Sequence, residues 1–340
     1  MTFDTYSNCS FGCVYCFSQY QRGVGAAAAA YKAKEVRSVN VERVKGIFTG
    51  ERKSQFENYI RDRKTFQWGG LSDQFDGFER QYGVTLELLK FFKEIDYPIS
   101  FSTKSTWWLD DPRYTELFRG QRNWNCKFSI ITLDAEDAAR IERGVPSPQE
   151  RLEAIEKFAN LDAGGATLRL RPFIIGVTSK NYLELIRQAY ERGATAMTTE
   201  FFCLERRSTK NAADNYRVIS DVIGRDIVDF YARNSHGQGY LRLNRKIKEP
   251  YVRKMRELAH SLGMRFYVSD AHFKEACDNC CCCGLPNDWN VARFQFSEAL
   301  QLCKRNGRVT FSEVKGDADH FDFPWVKAEG YNTSSIQRRA

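Results

Sequence analysis

Apolar positions along this chain switch repeatedly between two periods. Short β-branched and aromatic runs alternate with stretches in which apolar residues recur at helical spacing. "MTFDTY", "TFQWGG", "YPISFSTKS", "CKFSIITLD", "TLRLRPFIIG", "ATAMTTEFFCLE" and "MRFYVSD" read as strands. "VNVERVKGIFTGERKSQFENYIRDR", "GVTLELLKFFKEI", "DPRYTELFRG", "SPQERLEAIEKFANL", "NYLELIRQAYERG" and "KEPYVRKMRELAHSLG" read as helices. Ser147 before Pro148 marks one helix start, since serine caps free N–H groups and proline at the first helical position has none to lose. Strands separated by helices need right-handed crossovers and therefore form a parallel sheet. The predicted fold class is α/β, a full or partial (β/α) barrel with its chemistry at the C-terminal ends of the strands. "GVGAAAAAYKAKE" is low in complexity and reads as a loop feeding a helix. From about Asp270 the rhythm stops and a cysteine-rich tail begins. The predicted division is residues 1–269 for the barrel and 270–340 for an extension.

Composition narrows the class. A chain of 340 residues that is 42% hydrophobic supports a packed core. No apolar run approaches the length of about 18 residues that a membrane span needs, so no membrane partner is expected. "MTFDTYSNCS" lacks the basic-then-apolar pattern of a signal peptide, so a cytoplasmic location is expected. In a reducing compartment, 11 cysteines read first as metal or cluster ligands. The net charge of +8 is compatible with a polyanionic partner without requiring one.

The spacing Cys9-x3-Cys13-x2-Cys16 directly follows the first strand, with Tyr15 inside it as a candidate catalytic residue. A [4Fe–4S] cubane has four iron corners, usually filled by four thiolates. Three cysteines leave one iron open, where the amino and carboxylate groups of S-adenosylmethionine (SAM) can chelate. Structural zinc is the rival, but it wants a fourth Cys or His and none follows nearby. Unligated cysteines packed in a core are the plain alternative.

This motif resembles that of the radical SAM enzymes. The blocks "WGGLSDQFDGFERQYGVTLELLKFF", "ISFSTKSTWWLDD", "KFSIITLDAEDAARIERGVPSPQERLEAI" and "LRPFIIGVTSKNYLELIRQAYERGA" are similar to the spore photoproduct lyase and DNA repair photolyase branch, covering most of residues 1–270. The resemblance implies a partial (β/α)6 barrel. It also implies a [4Fe–4S] cluster that donates an electron to SAM, releasing a 5′-deoxyadenosyl radical that takes hydrogen from the substrate. An external one-electron donor, flavodoxin- or ferredoxin-like, is implied with it. By the same resemblance, Gly69, Ser72 and Asp73 after the second strand, Lys104 after the third and Ser129 on the fourth are the SAM contacts. Arg169 and Arg171 share one face of the fifth strand. Arg171 is the better candidate for the SAM carboxylate or a substrate phosphate, with an ion pair to Glu200 or Glu142 as the alternative.

The match has gaps. The lyase has a hydrogen-donating cysteine two residues before the serine matched by Ser72, and this chain has Gly70 there. Cys203, after the sixth strand, is the candidate replacement, with packing as its other reading; Cys126 reads as core. Phe17 stands where the branch often has tyrosine. The tail brings Cys277, Cys280, Cys281, Cys282 and Cys283 together, with His272 upstream and Cys303 downstream. An auxiliary iron–sulfur cluster, structural zinc and a redox-active dithiol all remain open for them. His236, His260 and His320 read as surface or capping residues.

The leading expectation is a radical SAM enzyme acting on a nucleobase or nucleotide, in DNA or free, for which "STWW" near a strand end supplies stacking surface. The alternatives are a radical SAM modifier of a peptide or small metabolite, and a non-catalytic zinc-bound nucleic-acid-binding protein.

Overall fold

The computed structural model describes residues 1–23, 25–205, 209–236, 240–279, 284–286 and 288–291. Seven strands form one parallel sheet in sequence order: β1 (Thr2–Phe3), β2 (Phe66–Trp68), β3 (Ile99–Thr103), β4 (Trp124–Ser129), β5 (Ala166–Phe173), β6 (Ala194–Phe201) and β7 (Arg265–Val268). Six helical crossovers join them, and β1 and β7 are the two edges of the sheet. This is the predicted α/β partial barrel.

Strand alternation sorts the side chains by face. Phe101, Cys126, Phe128, Leu168 and Met197 turn outward into a core covered by helices such as Val84–Glu94 and Pro148–Ala159. Cys126 is therefore core, as expected. Trp108 belongs to the same core, stacked on Phe75 at 4.4 Å between ring centroids and fully buried. The opposite face carries Ser100, Ser102, Asn125, Lys127, Ser129 and Thr167, all buried, and above them Arg169 and Arg171. Polar groups on an interior face must be bonded, and Lys127 Nζ is held by Gln67 Oε1 and Ser100 Oγ.

The predicted helix start at Ser147 is a full capping box, with Ser147 and Glu150 bonding each other's backbone N–H. The single helix read across 39–63 is two, Val41–Phe48 and Glu57–Arg61, because "TGERKS" interrupts the periodicity with a glycine and polar residues. The sequence reading missed the insertion between β6 and β7. It holds helices Thr209–Ile223 and Ile227–Asn234 and a small antiparallel sheet of Ser235–His236, Tyr240–Leu243 and Leu204–Glu205. Its apolar side chains join a second core with Val14, Tyr15, Ile131 and Ile174, and so it packs against the cysteine loop. Tyr20 donates to Tyr216 across that contact at 2.9 Å.

The start of the tail folds back onto the sheet. Asp278 N–H bonds Phe266 O, and His260 meets the Asp278 carboxylate at 2.9 Å. Gly284 and Leu285 then pass under Thr167 and Tyr267, whose hydroxyl donates to Leu285 O. Asn290 reaches the start of β2, accepting from Thr65 N–H and donating to Asp62 O. Cys280, Cys281, Cys282, Cys283, Cys303 and His320 lie outside the described residues. Among the described residues no helix is long and apolar enough to cross a membrane.

Candidate functional site

The three N-terminal cysteines share one loop at the C-terminal end of the sheet, and each part of it is tied down. Gly12–Cys13 pairs antiparallel with Glu142–Arg143, and Val14 N–H bonds Ile141 O. Asn8 accepts from Cys9 N–H and donates to the carbonyls of Tyr31 and Glu35. Lys34 Nζ donates to the carbonyls of Cys9 and Phe11 at 2.7 and 2.6 Å. Ser10 N–H bonds the Asp76 carboxylate, while Ser10 Oγ accepts from Gly77 N–H. All three cysteines are half-buried.

The thiols lie near carboxylates and one lysine. Burial, then Asp76 and Asp73, raise the Cys9 thiol well above its ordinary value, and the Asp73 backbone N–H opposes them. Burial pushes Cys13 up to about 12, opposed by Lys104 and reinforced by Glu142 and Cys16. Thiols in such a setting ionise when metal replaces their protons. Among the described residues no three His, Cys, Asp or Glu side chains surround one point as the ligands of a single ion would. A cubane takes one thiolate per iron, so three cysteines carried on one anchored loop fit that group on their donor chemistry.

Beneath the loop lies a fully buried ion pair. Arg151 and Glu142 are both 1% exposed and meet at 2.6 Å. Glu142 also accepts the Tyr15 hydroxyl, and Arg151 donates to Ser129 O at 2.7 Å. Tyr15, predicted as catalytic, is thus a buried donor whose phenol stays protonated through burial and the Glu142 charge. Sequence reasoning did not find Arg151, since an arginine in an amphipathic helix reads as solvent-facing.

The predicted SAM contacts divide. Lys104 does reach the cysteine loop, with Nζ 5.6 Å from the centre of the Tyr15 ring and its charge felt at Cys13. Asp73 sets that position: its carboxylate accepts from Lys104 N–H, Thr103 Oγ1 and Phe75 N–H. Ser72 Oγ instead donates to Tyr6 O, and Asp4 Oδ1 accepts three successive N–H groups from Gly70, Leu71 and Ser72. Ser72 therefore builds the turn. Ser129 Oγ accepts from Arg169 at 3.1 Å. Arg171 is paired with Glu200, which was the alternative reading.

Gly69 has φ +87°, and a Cβ there would stand 2.3 Å from Gln74 Oε1 and 2.7 Å from Ser102 O. Gln74 was missed by sequence. Its amide is fully buried, and neither polar atom has a partner among the described residues. A buried amide left without partners costs free energy, so Gln74, next to Asp73 in the chain, stands ready for a polar partner.

Cys203 sits just past β6, half-buried, with its thiol pushed up to about 11 by burial and Glu200 and hydrogen-bonded by Tyr240. Cys277 packs against β7, its thiol between the N–H and C=O of Val268. His272 Nδ1 lies 3.0 Å from the ammonium of Lys248, a fully buried lysine also paired with Asp270.

No protein-family model and no curated protein matches this chain. Solved structures do. A spore photoproduct lyase double mutant with bound AdoMet and dinucleoside spore photoproduct superposes with TM-score 0.55 at 18% identity, covering 78% of this chain and 75% of that one. A spore photoproduct lyase complexed with dinucleoside spore photoproduct gives 0.53 at 19% identity, covering 78% and 74%. The chain is therefore built on the fold of spore photoproduct lyase, the partial barrel that its sequence resemblance to the radical SAM superfamily implied.

Proposed function

We propose that this chain is a radical SAM enzyme whose substrate is a nucleobase or nucleotide. The observation that carries the reading is the meeting of Lys104, from the end of β3, with a three-cysteine loop held at the same end of the sheet. Cys9, Cys13 and Cys16 would hold the cluster, and Lys104 with Gln74 would meet the polar end of SAM. When bound, the cluster supplies one electron to SAM, yielding methionine and a 5′-deoxyadenosyl radical that takes a hydrogen atom from the substrate.

The chain's own residues orient and shield this chemistry. Asp73 fixes the backbone of Lys104, and the Glu142–Arg151 pair anchors Tyr15 and the strand opposite Cys13. The insertion packed over Tyr15 keeps water from that side of the loop. Cys203 holds its proton at neutral pH and is the candidate thiol for returning hydrogen to a substrate radical, since Gly70 has none to give. The dinucleoside bound by the lyase structures and the net charge of +8 support the substrate class.

Anaerobic reconstitution with iron and sulfide tests the reading. Iron near four per chain is expected for one cluster, with methionine and 5′-deoxyadenosine released under dithionite; near eight would add a second cluster. Deuterium from a labelled thymidine nucleotide or oligonucleotide should enter 5′-deoxyadenosine. Iron-loaded protein that releases no methionine under strong reduction, with or without DNA or nucleotides, would refute the radical chemistry. Label transfer from peptides or metabolites alone would refute the substrate class.

A further inference from the structure

A cavity of about 560 Å³ opens beyond the end of β3, on the same end of the sheet as the cysteine loop. Among its lining residues is Trp107, the half-exposed neighbour of buried Trp108 in the "STWW" stretch. The Arg80 guanidinium lies 4.9 Å from the centre of the Trp107 ring, and Tyr114 meets that ring edge-on at 5.1 Å. Trp107 Nε1 donates to Phe75 O at 2.6 Å, and Phe75 N–H bonds Asp73, which holds Lys104. The platform is thus fastened directly to the segment that sets the candidate SAM site.

The charges of the cavity are unequal in what they leave open. Glu79 is buried and accepts from Tyr6, Tyr114, Thr85 N–H and Leu86 N–H. Asp111 caps the helix Pro112–Phe118 and binds Arg113, and Asp110 binds Lys157. Arg80, among the described residues, makes no ion pair. An exposed guanidinium laid on an indole offers a flat cationic surface for a base and N–H groups for a phosphate.

We propose that this cavity is an outer nucleotide subsite, taking one base and its phosphate beside the target in a single-stranded or locally opened strand. The base stacks on the Arg80–Trp107 pair and the phosphate meets Arg80. This rests on the nucleobase reading above and extends it to a polynucleotide. Without such an extension, a free nucleotide would leave the platform unused.

Fluorescence anisotropy with the full chain tests it, using labelled dT12 and competition by the dinucleotide TpT, under anaerobic conditions with SAM. Wild type should bind dT12 tighter than TpT. Arg80→Ala, at an exposed position that leaves the core intact, should weaken dT12 by roughly 5- to 20-fold, the scale of a lost stacking layer. The same variant should reduce the salt slope by about 0.7, the value for one single-strand phosphate. TpT affinity should not move. Arg80→Lys should restore the slope but not the affinity. Wild-type dT12 binding by Arg80→Ala would overturn the subsite and leave the nucleobase reading standing, provided TpT binds. Full recovery by Arg80→Lys would overturn stacking as its basis. Wild type that binds neither probe overturns the nucleobase reading itself.

Discussion

Arg151→Ala tests the foundation of the cysteine loop. The substitution leaves Glu142, 1% exposed, as a buried carboxylate whose remaining bond is to the Tyr15 hydroxyl, and it frees Ser129 O. Breaking one side of a buried pair costs about 3–5 kcal/mol, because the surviving charge keeps its desolvation penalty. With an unfolding entropy of about 2.1 cal/mol/K per residue, on the order of 0.7 kcal/mol/K for this chain, Tm should fall by about 4–7 °C. Because Cys13 pairs with Glu142 through the backbone, iron retained after reconstitution should fall as well. The control is Glu142→Gln with Arg151→Met, which removes both charges but keeps an acceptor for Tyr15. It should lose under about 2 kcal/mol, since a buried pair replaced by neutral groups of similar size is often near neutral. Differential scanning calorimetry and iron assay on the three proteins decide the matter. Should Arg151→Ala melt within 1 °C of wild type with full iron, the pair does not anchor the loop and the argument is wrong.

Alanine at Cys9, Cys13 or Cys16 should each abolish the brown chromophore and retained iron while far-UV circular dichroism stays that of the wild type; a variant that keeps full iron removes its cysteine from the ligand set. Gly69→Ala should lose about 2–5 kcal/mol in urea unfolding, combining a positive φ with a clash against the Ser102 backbone carbonyl; a loss below 0.5 kcal/mol would mean the turn relaxes. Alkylation of Cys203 by iodoacetamide should be slow at pH 8, where a thiol near pKa 11 is ionised in about one molecule per thousand. Its rate should rise roughly tenfold per pH unit until near 11, and Glu200→Gln should speed it at fixed pH by removing a charge that raises the pKa. Flat rates from pH 8 to 10, followed by mass spectrometry at this cysteine, contradict that assignment.

Much of the frame could be read from the chain because local chemistry specified it. Alternating apolar runs and helical stretches are properties of neighbours in sequence, so all seven strands and the parallel sheet were legible. So were the Ser147 start and the cysteine spacing, each contained within a few residues. The insertion between β6 and β7 was not, since its two-residue strands carry too little pattern and its helices find their purpose only against the cysteine loop.

Within the site, sequence named residue types and the tertiary fold assigned their work. Ser72 and Asp73 are adjacent in the chain, yet Asp4 and Tyr6 claim the first for a turn while the second holds Lys104. Trp107 and Trp108 are neighbours of equal hydrophobicity. One is fully buried against Phe75 and the other faces a cavity with Arg80. Glu142 and Arg151 read as two charged residues until burial joined them. Hydrogen bonds and ion pairs are saturable, so a polar side chain's role depends on which distant group reaches it first. That is settled by the packing of β1, β2 and β4 against the loop, and not by any local spacing.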